Sequence, residues 1–294
     1  MERINMLFNG KKLNEAAANK FWEDRSYLFG DGLYEVIRFY NRRPRYPERH
    51  MKRLFNGIKE MEMNCETTSE QFLVAMQSLI DEVPYADGYI YLQISRGSGP
   101  RWHVYTGQNY TCHWVMLPFE TPKSVACPEK GSKHLVYEDF RWKKCHIKSV
   151  SLQAAVWIKS RGVQKGCDET ILVRDGYVTE CATSNMFIVK NQILYTHPIN
   201  HLILAGVTRS LVLDYAKQLH LQIIEMPFTY KDLLHADEAF STNSIFEIVP
   251  CTSILADADF TGIKDEEKII SNGVVGPITK KIQECFRKQL IYQL

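Results

Sequence analysis

No Cys-x-x-Cys pair occurs in the chain, so no zinc or dithiol redox motif can be read from cysteine spacing. The eight cysteines, Cys65, Cys112, Cys127, Cys145, Cys167, Cys181, Cys251 and Cys285, are scattered instead. Free thiols of this kind fit a reducing cytoplasm. No apolar run is long enough to span a bilayer. The start, Met1-Glu2-Arg3-Ile4-Asn5, leads into polar sequence and lacks the apolar core of a signal peptide. The expectation is a cytoplasmic protein without membrane association. No long Lys/Arg run exists and the net charge is only +2, which gives no reason to expect nucleic-acid binding. Internal repeats and low-complexity tracts are absent. What remains is a 294-residue chain with 45% hydrophobic and 24% charged residues. That composition suits a globular enzyme, and that length suits one large or two medium domains.

Pattern along the chain supports two domains. Met6-Leu7-Phe8 reads as a strand running into Asn9-Gly10, and the glycine-punctuated stretch from Asp24 to Gly32 as a tight loop. Leu33 to Tyr40 reads as a strand. Pro47 opens a helix with Met51, Leu54, Phe55 and Ile58 at helical spacing, and Phe72 to Ile80 is a second helix. Tyr89 to Arg96 and Cys112 to Leu117 are further strands. Pro118, Pro122, Pro128 and Gly131 mark an interdomain linker. The expected division is a smaller α+β domain over 1–120, a linker over 121–131 and a larger domain over 132–294.

In the second part, Ser151 to Lys165 reads as a helix that Gly166 can cap. Glu169 to Val173 and Tyr177 to Thr179 form a hairpin across Arg174-Asp175-Gly176, and Met186 to Val189 with Ile193 to Tyr195 form another. Thr208 to Leu219 is a helix, Asp237 to Thr242 a buried strand, and Pro277 to Leu290 the C-terminal helix. Hairpins mixed with helices favour a pseudobarrel sheet over a doubly wound parallel one.

Chemistry concentrates in a few places. Lys148, in Arg141-Trp142-Lys143-Lys144-Cys145-His146-Ile147-Lys148-Ser149, offers an amine able to form a Schiff base with an aldehyde cofactor such as pyridoxal phosphate. Glu180, opening Glu180-Cys181-Ala182-Thr183-Ser184-Asn185, offers a carboxylate that would keep such a cofactor's ring nitrogen protonated. Alone, a lysine is most often a solvated charge. Leu204-Ala205-Gly206-Val207-Thr208 puts a glycine and a hydroxyl at a helix start, where free amides and the helix dipole favour an anion. An ordinary helix N-terminus has the same look. Thr242-Asn243-Ser244 can add donors, and the Arg53 guanidinium can grip an oxyanion with its fork. Arg101, in Pro100-Arg101-Trp102-His103, can hold a carboxylate with two parallel bonds, with His103 as a third donor. The plain alternative there is a surface loop. Tyr34 offers a phenol; its plain alternative is a core tyrosine.

Several ordered segments resemble the fold-type IV pyridoxal-phosphate enzymes, the class IV aminotransferases. They are Asp24-Arg25-x-Tyr27-x-Phe29-Gly30-Asp31-Gly32-x-Tyr34-Glu35-Val36, His50-x-x-Arg53-Leu54, Arg96-Gly97-x-x-Pro100-Arg101-x-His103, Lys148-Ser149, Gly166-Cys167, Thr179-Glu180-x-x-x-Ser184-Asn185, Leu194-Tyr195-Thr196-His197-Pro198 and Gly206-Val207-Thr208-Arg209. They run from Phe8 to about Pro250 and are most similar to the bacterial D-amino-acid group of that family. The resemblance implies a two-domain fold-type IV architecture and a pyridoxal 5'-phosphate cofactor held covalently by Lys148, which also shuttles a proton. It implies that Glu180 pairs with the ring nitrogen and that Arg53, Val207, Thr208, Asn243 and Ser244 cradle the phosphate. It further implies a homodimer in which Arg101 and His103 reach from one subunit to the other's site. With Tyr34 they would trap the α-carboxylate of a D-amino acid undergoing transamination with a 2-oxo acid.

Three positions depart from the family pattern: the bulky Trp102 between Arg101 and His103, the run Cys181-Ala182-Thr183, and Asn243-Ser244 in place of a serine-threonine pair. The branched-chain L-aminotransferases share the fold but lack the Arg-x-His pair. The aminodeoxychorismate lyases share fold, cofactor and lysine but eliminate pyruvate. A non-catalytic carrier of the cofactor would need no carboxylate clamp.

Overall fold

The computed structural model describes residues 7–12, 23–107, 109–121, 130–262 and 265–292. The chain divides into two compact units, Met1–Pro122 with Ile147–Leu152, and Lys123–His146 with Gln153–Leu294. The segment that carries Lys148 therefore belongs with the first unit. Residues 122–129, most of the expected linker, lie outside the described residues, as does Met6.

In the first unit, β1 (Leu7–Phe8), β2 (Lys11–Lys12), β3 (Gly32–Tyr40), β4 (Arg43–Pro44), β5 (Gly88–Ser95) and β6 (His113–Glu120) form one antiparallel sheet, ordered β2-β1-β6-β5-β3-β4. Three helices accompany it: α1 (Arg25–Phe29), α2 (Pro47–Glu60) and α3 (Ser69–Glu82). Helix α1 stands where a tight loop was expected. Asp24 caps it through the Ser26 amide, and Gly30 ends it with φ 66. The glycine that reads as a loop signal is here a C-cap, a position that favours the left-handed conformation. Strand β3 alternates strictly, burying Leu33, Glu35, Ile37 and Phe39 on one face. Those apolar residues join Met51, Leu54 and Ile58 of α2 and Phe72, Met76 and Ile80 of α3 in one core.

The second unit has β7 (Ser132–Glu138), α4 (Gln153–Gln164), β8 (Glu169–Arg174), β9 (Tyr177–Cys181), β10 (Asn185–Lys190), β11 (Ile193–Thr196), α5 (Val207–Gln218), β12 (Ile223–Glu225) and β13 (Phe228–Thr229). It continues through α6 (Tyr230–Leu234), β14 (Glu238–Asn243), β15 (Glu247–Ala256), α7 (Ala258–Thr261), β16 (Glu266–Ile269) and α8 (Pro277–Tyr292). Its strands form one mixed sheet, ordered β12-β11-β10-β14-β15-β7-β8-β9-β13 with β16 on β15. The pairs β15–β7, β7–β8 and β11–β12 are parallel and the other pairs antiparallel. A mixed sheet of this kind agrees with the expectation against a doubly wound fold.

Strands β7 and β15, central in this sheet, were not expected from the sequence. Pro250 interrupts β15, and a register shift between Cys251 and Ser253 breaks its alternation against β7. The Pro250 carbonyl accepts from Ser132 Oγ at 2.7 Å, which ties the two strands at the break.

Candidate functional site

Lys148 is held by the open edge of β3. The Tyr34 amide donates to the Lys148 carbonyl and the Val150 amide to the Gly32 carbonyl, both at 3.0 Å, on either side of a Leu33–Ser149 bridge. A side chain at Gly32 would collide with the Ile94 carbonyl, so only glycine lets β3 pack so closely there. The half-buried Lys148 puts its Nζ 4.1 Å from the Tyr34 ring centroid. An ammonium there gains from the ring's negative face. Tyr34 and Lys148 are thus brought together.

On the opposite face of β3 the sequence reading named Arg53 but assigned no role to its partners. Glu35 is fully buried and accepts from Arg53 Nε and Nη2, each at 2.7 Å. His50, one turn before Arg53 on α2, donates from Nδ1 to the same carboxylate at 2.7 Å. Burial alone would raise the Glu35 carboxyl. Arg53 and His50 outweigh it and hold it far below the usual carboxylate range. Burial pushes His50 down against the pull of Glu35, and Arg53 and Lys148 push it further, so it stays neutral. The signal that could have found this group is a carboxylate at a core position of an alternating strand, with His and Arg at i, i+3 on the next helix.

Replacing Glu35 with glutamine should lower stability by about 3 kcal/mol near neutral pH, because Arg53 is left without its buried counter-charge. Glu35 contributes fully above the unfolded carboxyl pKa of about 4.3 and loses that contribution as pH falls through the depressed folded value. The gap between the two proteins in urea unfolding should therefore be wide at pH 7 and narrow progressively below about pH 4.3. A gap that is constant with pH would show that the Glu35 charge is not what stabilises the unit.

In the second unit Glu180 sits at the buried end of β9. Arg141 Nη1 donates to its Oε1 at 2.6 Å, and Asn185 Nδ2 and the Leu204 amide donate to its Oε2 at 2.9 and 3.1 Å. Arg141 is fixed in turn by Asp139, which takes Nε at 2.9 Å and Nη2 at 3.0 Å. Thr179 Oγ1 also donates to Asp139, and Arg174 donates to the Asp139 and Arg141 carbonyls. Burial raises the Glu180 carboxyl above its usual range, while Arg141 pulls it the other way. Local sequence marks Arg141 and Asn185 only as neighbours of Lys148 and Glu180.

The start of α5 presents free backbone amides at the residues that the sequence marks for an anion. Its N-cap, Gly206, supplies no side-chain bond, which leaves first-turn amides at Val207 and Thr208 without an intrahelical partner. A side chain at Gly206 would overlap the Asn185 amide. Thr208 Oγ1 donates to the Asn243 carbonyl at 2.9 Å. The Asn243 side chain shapes the turn that holds Ser244: its Oδ1 accepts from the Ile245 and Phe246 amides and its Nδ2 donates to Ser184 Oγ. Beside it, the Thr242 hydroxyl is buried without a partner among the described residues. Uncapped amides and an orphaned hydroxyl are a donor set that fits a phosphate.

Arg101 and His103 are both exposed and both lie on Phe29, at 5.4 Å for the guanidinium and 5.5 Å between rings. Their turn is tethered by Arg25 Nη1, which donates to the Trp102 carbonyl at 2.7 Å. Arg25 and Arg96 share the buried Asp31, each donating from Nε at 2.8 Å. Trp102 itself is half exposed, and Cys181 is buried with Sγ 3.8 Å from Met186 Sδ.

The model of the family described as amino-transferase class IV matches residues 32–254. The chain belongs to that family. Its relatives include a D-alanine aminotransferase of Bacillus licheniformis, 34% identical over 288 residues that cover 98% of each chain. Among solved structures, the branched-chain amino acid aminotransferase of Escherichia coli superimposes with a TM-score of 0.84 at 22% identity, covering 97% of this chain and 94% of the other. The branched-chain aminotransferase of the archaeon Thermoproteus uzoniensis, solved with norvaline, gives 0.81 at 24% identity, covering 97% and 94%. At that identity the two structures establish the fold of this class IV aminotransferase and leave its substrate to the site residues.

Proposed function

We propose that this class IV aminotransferase moves the amino group of a D-amino acid such as D-alanine to a 2-oxo acid such as 2-oxoglutarate, with pyridoxal 5'-phosphate as cofactor. One observation carries the substrate reading. Arg101 and His103 stand side by side on Phe29, exposed, on a turn that Arg25 tethers. Neither forms an ion pair among the described residues. A guanidinium and an imidazole so presented are prepared for a carboxylate. The full-length similarity to a D-alanine aminotransferase points the same way.

When bound, the cofactor supplies an electron sink for negative charge at the substrate Cα. Lys148 would hold the cofactor covalently and act as the base that takes up and returns the substrate Cα proton, and Tyr34, under its Nζ, would keep the amine in place. Glu180 would face the ring nitrogen and favour its protonated form, with Arg141, Asn185 and the Leu204 amide fixing the carboxylate. The Val207 and Thr208 amides, Asn243 and Ser244 would hold the phosphate, with Arg53 as a further partner. In this reading the working protein is a cytoplasmic homodimer, and Arg101, His103 and Tyr34 form the carboxylate trap, the first two acting on the partner subunit's substrate. No helix among the described residues is long and apolar enough to cross a membrane. The domain division at 121–131 is part of the same proposal.

The deciding experiment is an amino-donor screen with 2-oxoglutarate: D-alanine should be converted and L-leucine poorly or not at all. Faster conversion of L-leucine would favour the branched-chain alternative. Arg101→Ala should cost about 2–3 kcal/mol in kcat/KM, roughly 30- to 160-fold, because a charged partner of the carboxylate is lost. His103→Ala should cost less. D-alanine kinetics unchanged in both variants would place the trap elsewhere. Mixing inactive Lys148→Ala with impaired Arg101→Ala protein should raise the activity above that of either variant alone if the arm acts across subunits.

A further inference from the structure

The segment between β5 and β6 carries Arg101 and His103. Apart from a single bridge of Ser98 to Asp24, it has neither helix nor strand among its described residues. From Pro100 to Thr111 no backbone bond ties those residues to the rest of the unit, so side chains have to hold them. Two arginines do this. Arg25, the first residue of α1, donates from Nη1 to the Trp102 carbonyl at 2.7 Å and lies on the rings of Phe29 and Tyr110, at 4.8 and 5.1 Å. Arg96, just after β5, lies on the Tyr105 ring at 3.9 Å and donates from Nη1 and Nη2 to the Glu62 and Met61 carbonyls at 3.0 and 2.8 Å. The segment is thus gripped at Trp102, Tyr105 and Tyr110. Both arginines are anchored on one atom: each Nε donates to Asp31 Oδ2 at 2.8 Å. All three side chains are buried. Without the charge of Asp31, two guanidinium groups so close together would repel each other. Backbone completes the frame, since the Arg25 amide donates to the Gly97 carbonyl at 2.9 Å and the Arg96 amide to the Asp31 carbonyl at 3.2 Å. Gly97 takes φ 119, and a side chain there would strike the Thr111 carbonyl, so the two ends of the segment pass at contact distance.

We propose that Arg25, Asp31 and Arg96 are positioning residues for substrate recognition: Asp31 locks two arginines whose far ends fix where the segment presents Arg101 and His103. The inference rests on the reading of those two residues as the carboxylate trap. Arg25 is the central member. Its fork serves Asp31 and the Trp102 carbonyl at once, while its plane lies on Phe29, the ring on which Arg101 and His103 also rest. A lysine at this place, a point charge without the planar fork, could serve only one of the two partners. A trap set in advance spares the substrate the ordering of the segment, so the effect of the three residues falls on binding of the α-carboxylate.

The test is a mutant cycle on the holoenzyme with D-alanine and 2-oxoglutarate, read beside hydrogen exchange of peptides covering residues 99–112. Arg25→Lys should raise KM for D-alanine about 10-fold with kcat little changed. Exchange in residues 99–112 should quicken, while that of β5 stays as in the wild type. In protein that already carries Arg101→Ala and His103→Ala, the same substitution should leave KM nearly unmoved, because its effect runs through those two residues; general damage to the fold would persist there. Asp31→Asn removes the charge at nearly constant shape and should move KM and exchange in the same direction. If that variant does not fold, Arg25→Lys decides alone, since it leaves the bond from Arg96 to Asp31 in place. A wild-type KM in Arg25→Lys beside an impaired Arg101→Ala overturns the positioning role and leaves the trap standing. A rise in KM of the same size with and without Arg101 and His103 overturns it as well. Unchanged D-alanine kinetics in Arg101→Ala overturns the trap, and the positioning role with it.

Discussion

Replacing Lys148 by alanine is expected to lower transamination by at least about 10³-fold, since on the proposed function one substitution removes both the covalent anchor and the base. The protein should stay folded. The backbone bonds that hold the segment on β3 come from the Lys148 carbonyl and the Val150 amide, not from the side chain. The truncation forfeits the contact between Nζ and the Tyr34 ring, about 0.5–1 kcal/mol. Lys148→Arg is the informative companion. It keeps a cation near Tyr34, yet its guanidinium cannot form a Schiff base with an aldehyde, so it should be as inactive as the alanine variant. Borohydride reduction of the wild-type holoenzyme should leave a stable cofactor adduct on the peptide containing Lys148, and neither variant should carry it. Wild-type rates from either variant would remove Lys148 from the reaction.

Helices α2, α3, α5 and α8 were legible because each has an apolar stripe at helical spacing with a proline or glycine near an end. Hairpin β8–β9 was legible from Asp175-Gly176, which supplies two positive-φ positions. What escaped was set by distant partners. Strand β7 lies between parallel neighbours and is buried along most of its length, so it carries no alternation to read. In β15 a proline and a register shift hide a strand that its neighbours impose.

The same division holds for the site. Lys148, Glu180, Arg101 and His103 stood out through their local motifs. Glu35 acquires meaning only when β3 carries it under α2, and Asp139 and Arg141 only when the fold carries them to Glu180. Arg53 shows the limit of residue-type reasoning. A guanidinium fork named for an oxyanion ligand also serves an internal carboxylate, so its placement depends on Glu35, which no local pattern linked to it.

Glu180→Gln should damage stability and catalysis separately, and pH distinguishes the two. The carboxylate accepts from three donors, Arg141, Asn185 and the Leu204 amide. A carboxamide has one acceptor oxygen and one donor group at those places. If the oxygen faces Arg141, the amide nitrogen meets two other donors; if it faces them, Arg141 meets a donor. Either arrangement leaves buried groups unsatisfied and Arg141 with Asp139 alone, at a cost of about 3 kcal/mol. In the wild-type protein burial raises the Glu180 carboxyl. Its ionised form is therefore less favoured in the folded protein than in the unfolded chain, and wild-type stability from this group rises as pH falls through the raised folded value toward about 4.3. The gap between wild type and Glu180→Gln should thus widen on mild acidification, opposite to the trend for Glu35→Gln. Catalysis should fall by about 10²- to 10³-fold even where the variant is fully folded, since an amide cannot hold the ring nitrogen protonated and the charge that develops on the ring loses its partner. Glu180→Asp should recover more of kcat than of stability, because it restores the charge but not the reach to all three donors. An unchanged kcat in Glu180→Gln, measured on folded protein, would take Glu180 out of the chemistry and leave it a purely structural carboxylate.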